Sequence, residues 1–324
     1  MNICFLDNNK ISYDHTSLED NSIRGAEKTL INLSLRLNKL GHKITVLNHT
    51  NRKVVFENIR WINIENYKDN TIFDLAITNN DLNNFKYIKS KKNIAISYSI
   101  QSIEKFIRKG QLLSFLKYKP KVIILGKYHD DNRNFLLKLF GKINLQWAVD
   151  PLFLEAEIDD SNVENRAIFT SRRDRNLDIL IDIWKKKIFP KNKSIKLFVT
   201  PSDLIENNFN IYSRNFDNKI SLFQDMLKSK VLLVPGHKGE LFCIAAEEAR
   251  ELCIPIITLG IGSLSERVEH GITGFIAKNN DEFADFTLNI FNNYNLWKEL
   301  RNNLLKLRGS KKWQTVASNL LKQL

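Results

Sequence analysis

Short apolar runs alternate with amphipathic stretches along the whole 324-residue chain. Residues 2–6 are apolar and open the chain as a buried strand would. From Gly25 to Leu40, Leu30, Leu33, Leu35, Leu37 and Leu40 fall among charged and polar residues, the spacing of an amphipathic helix. Gly41 ends that helix, and Ile44-Thr45-Val46-Leu47 reads as the next strand. Strand, helix and strand make a βαβ unit, the building block of a parallel sheet. The pattern predicts further buried strands at residues 75–78, 94–97 and 122–125, each flanked by enough chain for a crossover. One doubly wound α/β domain is therefore expected over residues 1–150.

A second series follows. Strands are expected at residues 167–170, 196–199, 231–234 and 254–258, with helices at 177–186 and from about Glu240 to Leu252. This predicts a second α/β domain over residues 151–310, and a last helix within 311–324 that packs back on the first. The expected fold class is thus α/β, with two Rossmann-like doubly wound domains facing across a cleft. Ligands of such open sheets sit beyond the carboxyl ends of the strands.

Composition narrows the class. Hydrophobic residues make up 43% and charged residues 26%, as in ordinary globular proteins. No apolar run approaches the roughly 18 residues of a membrane span, and the opening MNICFLDNNK lacks the charged-then-apolar pattern of a secretion signal. Cys4, Cys243 and Cys253 are odd in number and have no metal-ligand spacing, which fits a reduced, cytoplasmic protein. The net charge is +13, and residues 1–150 hold most of it, with 24 Lys/Arg against 14 Asp/Glu. An anionic partner such as a phospholipid surface, a lipid-linked phosphate or an acidic saccharide fits this charge. So does a general bias of the chain toward Lys, Asn and Ile. Nucleic acid is not expected, because the basic residues form no recognisable reading motif.

Candidate chemistry concentrates between Val231 and Ala277. Strand, glycine-bearing loop, helix, strand and second glycine-bearing loop is how a sheet presents backbone N–H groups to an anion, around Gly236 and again around Gly262. Glu240 falls at the first loop-to-helix junction and Glu248 lies eight residues on. Ile244, Glu248 and Leu252 are four apart, which predicts Glu248 on a core-facing stripe and Glu247 on the other side. A carboxylate on such a stripe needs a partner, and a pair of sugar or ribose hydroxyls supplies one. The plainer readings are an acid favoured by the helix dipole for Glu240 and a buried ion pair for Glu248.

The same stretch resembles the E-x7-E region of retaining, GT-B-fold glycosyltransferases of family 4. It matches in Pro235, Glu240, Phe242, Glu248, Pro255-Ile256-Ile257, Gly262-Ser263-Leu264-Ser265-Glu266 and Thr273-Gly274-Phe275. The resemblance implies that Glu240 contacts the donor sugar, that Glu248 holds the ribose hydroxyls, and that the backbone of Gly262, Ser263 and Leu264 approaches the diphosphate and the sugar. Upstream, Ser171-Arg172-Arg173-Asp174-Arg175-Asn176 stands where the family has a Gly-Arg pair and a Lys-Gly before a helix. Two cations at a strand end beside a helix N-terminus suit a diphosphate on physical grounds as well. Arg172 and Arg175 are therefore the expected stabilisers of the leaving group, although Ser, Arg and Asn depart from the family's commonest residues there. In the first half, Arg24-Gly25-Ala26-Glu27 resembles the family's G-G-A-E loop, with Gly25 letting the backbone come close to donor phosphate or acceptor.

The expected function is transfer of a hexosyl or other glycosyl group from a nucleotide-diphosphate sugar to a saccharide or lipid-linked acceptor. Retention of configuration is implied by the resemblance. No metal or other cofactor is expected, since the chain has no D-x-D pair and cationic side chains can take the leaving group's charge. The alternatives are a nucleotide-sugar epimerase, another GT-B-fold enzyme, or a catalytically silent sugar-nucleotide-binding protein. Some family members place a His after the strand corresponding to 94–97. Here the run is Ile96-Ser97-Tyr98-Ser99-Ile100-Gln101, so no general base is named, and Tyr98 and Gln101 are expected to line the acceptor side. Residues 102–121 combine Phe106, Ile107, Leu112, Leu113, Phe115 and Leu116 with several lysines and an arginine. Two readings fit this segment. One is a peripheral contact with an anionic membrane, on its inner face for a cytoplasmic enzyme. The other is an ordinary crossover helix with snorkelling lysines.

Overall fold

The computed structural model describes residues 1–20, 23–201, 206–214 and 218–324. The chain divides into two compact units, Met1–Trp147 with Trp313–Leu324, and Ala148–Lys312. The first unit holds strands β1 (Asn2–Leu6), β2 (Lys43–Asn48), β3 (Val54–Phe56), β4 (Ile59–Asn63), β5 (Ile72–Asn79), β6 (Lys89–Ile96), β7 (Lys121–Ile124) and β8 (Lys142–Asn144). They form one sheet in the order β3-β4-β2-β1-β5-β6-β7-β8, parallel except where β3 turns back on β4. β1 pairs with β2 on one side, Ile3 opposite Ile44, and with β5 on the other, Ile3 opposite Leu75. The winding therefore reverses at β1, and the carboxyl ends of β1 and β5 flank the switch point.

Helix α1 (Gly25–Lys39) forms as its leucine spacing predicts, with Leu30, Leu33 and Leu37 buried against the sheet. It ends in a Schellman-type turn. Gly41 takes φ +84°, its N–H donates to the Asn38 carbonyl, and the His42 N–H donates to the Leu37 carbonyl. Between β6 and β8 lie three short helices, α2 (Ile103–Arg108), α3 (Leu112–Tyr118) and α4 (Lys127–Asp131). Phe106 and Phe115 point inward from α2 and α3 and meet at 5.3 Å between ring centres.

The second unit starts with α5 (Pro151–Leu154) and carries β9 (Arg166–Phe169), β10 (Lys196–Val199), β11 (Ile211–Ser213), β12 (Val231–Leu233), β13 (Ile256–Thr258) and β14 (Gly274–Ile276). All are parallel, in the order β11-β10-β9-β12-β13-β14. β9 and β12 are neighbours although β10 and β11 come between them in the chain, so this unit's switch point lies between their carboxyl ends. The helices are α6 (Leu177–Ile183), which runs on into a π-helical turn to Ile188, then α7 (Lys219–Leu227), α8 (Ile244–Glu251), α9 (Asn280–Asn292) and α10 (Tyr294–Leu307). The apolar strands read as continuous runs because both faces of the sheet are covered. The last helix, α11 (Trp313–Lys322), belongs to the first unit, where it packs on α1.

Helix α8 is shorter than its sequence predicts, and turned. Cys243 sits in the left-handed region at φ +56°, so the helix begins at Ile244 and Glu240 lies in the preceding loop. The face against the core carries Ala245, Ala246 and Ala249, and the helix packs on α10 and α5. Glu247 and Glu251 are the acids on the buried side. Glu248 is only half-buried and shares its stripe with Ile244, which is 44% exposed. The expectation that Glu248 faces the core is thus reversed.

Candidate active site

Two loops at the switch point of the second unit build the site. One follows β12 and runs from Val234 to Cys243. The other follows β13 and runs from Leu259 to the short 3-10 helix at Gly262–Glu266. Their backbones are joined directly. The Leu259 N–H donates to the Pro235 carbonyl at 3.1 Å, Gly236 bridges to Ile261, and the Ser263 N–H donates to the Glu240 carbonyl at 3.0 Å. This contact is what requires glycine twice. A Cβ on Gly236 (φ +100°) would stand 2.5 Å from the Ile261 carbonyl oxygen, and one on Gly262 (φ +74°) 2.3 Å from that of His237. Gly236 and Gly262 therefore hold the loops together, a role that needs no ligand.

The loop after β9 closes the site from the other side. Asn176 caps α6 at φ +65°, a conformation Asn tolerates better than other non-glycine residues, and its Nδ2 donates to the Gly236 carbonyl at 2.5 Å. The residue that departs from the family pattern thus meets the same backbone demand as glycine and adds a tie to the neighbouring loop. Arg175, beside it, turns inward and is 18% exposed. Its Nη1 lies 2.8 Å from His237 Nδ1 and its Nε 3.6 Å from Glu240 Oε2. The Gly239 N–H donates to the same Nδ1 at 3.0 Å. With two donors facing it, Nδ1 is placed as the acceptor of both. Glu240 is held at its other oxygen, Oε1, by the Cys243 N–H at 3.1 Å. A guanidinium, an imidazole and a carboxylate are thereby fixed together at the carboxyl ends of β9 and β12.

The structure brings together only part of the expected set. Arg175 and Glu240 meet. Arg172 does not join them, since its side chain is 71% exposed and turned to Asp174 at 3.0 Å. An exposed pair of this kind is worth at most about 1 kcal/mol. Ser263 and Leu264 are fully buried, with the Ser263 N–H already given to Glu240 and Leu264 in the core. They support the loop from within instead of presenting backbone to a ligand. His237 was not expected from the sequence, though a histidine between two glycines at a strand end, three residues before Glu240, is a usable signal.

In the first unit, Gly25 opens α1 with nothing within 4 Å of a would-be Cβ, so the space beside it is open as expected. Tyr98 and Gln101 are less available. The Tyr98 hydroxyl donates to the Ala26 carbonyl at 3.4 Å, and burial pushes the phenol's pKa up. Gln101 is buried, 3% exposed. Both shape the wall of the unit more than they reach from it. The polar cluster at this unit's switch point is a different one. Asp7, just after β1, accepts from the Tyr13 hydroxyl at 2.7 Å, from Asn79 Nδ2 at 3.1 Å and from the Asn9 N–H at 3.1 Å. Asn9 Nδ2 in turn donates to Glu27 Oε1 at 2.5 Å. Burial raises the Asp7 pKa, those three hydrogen bonds oppose the rise, and the nearby Glu27 adds to it. The cluster leaves no pattern in the sequence, because its members lie on four separate segments.

Comparison with known proteins bears on the fold and on the second unit. A family model described as "Glycosyl transferases group 1" matches residues 191–306, which include His237, Glu240, Glu248 and both close-packed glycines. No curated protein sequence matches the chain. Among solved structures, HepE of Anabaena in complex with UDP and glucose superposes with a TM-score of 0.70 at 13% identity, covering 100% of this chain and 99% of that one. Sucrose-phosphate synthase from Thermosynechococcus elongatus gives 0.70 at 12% identity, covering 99% and 97%. WaaG, a glycosyltransferase involved in lipopolysaccharide biosynthesis, gives 0.65 at 12% identity, covering 98% and 97%. The fold is that of the GT-B glycosyltransferases, two Rossmann-like α/β units. Taken with the group 1 match, it makes the chain a glycosyltransferase.

Proposed function

We propose that the protein moves a glycosyl group from a nucleoside-diphosphate sugar to a saccharide or lipid-linked acceptor, with retention and without a metal, as family 4 enzymes do. The observation that carries this reading is the fixed trio of Arg175, His237 and Glu240 at the switch point of the second unit. Arg175 Nη1 is taken by His237, but its pairing with Glu240 is longer than a hydrogen bond, and its Nη2 has no partner among the described residues. The guanidinium thus keeps capacity for phosphoryl oxygens, and it opposes the charge that grows on the diphosphate as the bond to the anomeric carbon breaks. Glu240 is placed to accept a sugar hydroxyl, and half-buried Glu248 to accept ribose hydroxyls. In a front-face transfer the acceptor oxygen bonds to the anomeric carbon on the side the diphosphate leaves, and its proton passes to the departing phosphate. HepE was solved with UDP-glucose, which makes a uridine nucleotide the first donor to try. A screen of nucleoside diphosphates by thermal shift tests the reading. A bound nucleotide at 100 times its Kd adds about 2.7 kcal/mol of stability. That gain is expected to survive EDTA and to vanish in Glu248→Ala and Arg175→Ala. A panel in which no nucleotide stabilises the protein defeats the proposal.

The same reading places the first unit on the acceptor side and against an anionic membrane surface. Among the described residues no helix is long and apolar enough to cross a membrane. On α2 and α3, however, Ile107, Leu113 and Leu116 are exposed, with Phe135 and Leu139 exposed farther along the same unit. Arg108, Lys109, Lys117 and Lys119 lie among them in the sequence. Apolar side chains ringed by cations suit the interface of an anionic bilayer. Phosphatidylglycerol vesicles are expected to sediment the protein, and Ile107→Asp with Leu113→Asp to abolish this. Equal sedimentation of the double variant would show that the patch is an ordinary solvated face.

A further inference from the structure

A cavity of about 300 Å³ opens in the first unit beside β4. Thr50, Asn51, Arg52 and Lys53 from the segment after β2 line one side of it. Asn66, Tyr67, Lys68 and Asp69 from the segment after β4 line the other, and Arg60, Ile62 and Asn63 of β4 form part of its wall. The lining holds four cations and a single acid. Its counter-charges are weak, with Arg52 3.9 Å from Asp14 and Arg60 3.9 Å from Asp69. Lys53 and Lys68 pair with nothing among the described residues.

Arg60 distinguishes this cavity from a solvated basic surface. Its backbone is held within β4, Thr45 Oγ1 accepts from its Nη2 at 3.4 Å, and its Nε is shut off from water without an acceptor. The charge of that guanidinium is therefore poorly compensated, and three flexible cations stand around it. Four like charges around a small concave space repel one another until an anion enters. The amides of Asn51, Asn63 and Asn66 and the hydroxyl of Thr50 add hydrogen-bonding groups of the kind that fix orientation in ligand pockets. The volume is at the small end for such sites and has room for one anionic group with its carrier.

We propose that this cavity binds a phosphate or carboxylate group, seated on Arg60 and closed over by Lys53 and Lys68. Its place in the acceptor-side unit makes the acceptor an anionic molecule, a step that rests on the transferase reading. The binding itself does not. Calorimetric titration of the whole protein with inorganic phosphate and with glucuronate tests the free-anion source. Binding to phosphatidylglycerol vesicles, measured in the Ile107→Asp, Leu113→Asp background, tests the lipid-headgroup source. At least one probe is expected to bind saturably, and Lys53→Glu with Lys68→Glu, both exposed and unpaired, to weaken it at least tenfold. Arg60→Gln should weaken it comparably, while UDP binding stays within twofold of the parent in both variants. Absence of saturable binding by all three probes, or binding unchanged in the charge-reversed variant, overturns the proposal. Anion binding without binding of any nucleoside diphosphate of the panel would leave it standing and remove the transferase reading.

Discussion

Arg175→Ala is expected to lower kcat/KM about 100- to 1000-fold, the usual cost of losing one group aimed at developing charge. The rate is measured with whichever nucleotide sugar shifts the thermal transition most. The same substitution at Arg172 should cost no more than about fivefold, the equivalent of the ~1 kcal/mol that an exposed pair is worth. The contrast follows from where the two guanidinium groups stand. Arg175 is pinned by His237 and faces Glu240, so it needs no reorganisation when the donor arrives, whereas Arg172 must leave Asp174 and cross open solvent. Arg175→Lys should fall between the two, because a single ammonium keeps the charge but cannot hold His237 and a phosphoryl oxygen in one plane. An Arg172→Ala variant as crippled as Arg175→Ala would show that the loop after β9 rearranges on binding, and the trio seen here would not be the working site.

The parts of the molecule that could be read from the sequence are those written in local pattern. β1 and β10 lie where the alternation of apolar runs puts them, and the other interior strands fall within a few residues of their expected positions. The hairpin of β3 and β4 was not legible, because its turn uses Glu57 at φ +52° in place of the glycine that marks such turns. Edge strands β8 and β11 have three residues each, too few to show a period. The face of α8 was misread for two reasons. Cys243 at positive φ starts the helix late, and the apolar stripe through Ile244 and Leu252 looked stronger than the three alanines that are buried in the core. Glu240 could be found because it stands in a motif. Its partners could not, since Arg175 and His237 lie 62 residues apart and the fold alone joins them.

That misreading leads to the largest expected effect on stability. Glu247 is one of two buried acids of α8, with Glu251, and its side chain is 3% exposed among three cations: Arg267 at 3.3 Å, Arg250 at 3.5 Å and Lys311 at 3.8 Å. Arg267 is itself buried, donates from Nε to the Phe242 carbonyl and stacks 4.4 Å from the Phe242 ring. The carboxylate thus joins the loop carrying Glu240, the helix carrying Glu248 and the chain leaving the unit at Lys311. Its removal takes the 3.3 Å carboxylate away from the buried Arg267 side chain, and breaking one side of a buried pair costs about 3–5 kcal/mol. Glu247→Ala should therefore lower the unfolding free energy of the second unit by about that amount, read from urea denaturation. Glu248→Ala, one residue on and half-exposed, should change it by less than about 1 kcal/mol while removing nucleotide binding. The two adjacent acids are then separated by opposite readouts, one in folding and one in affinity. If Glu248→Ala unfolds the unit and Glu247→Ala leaves it intact, α8 is turned the other way, and the assignment of Glu248 to ribose hydroxyls falls with the network described here.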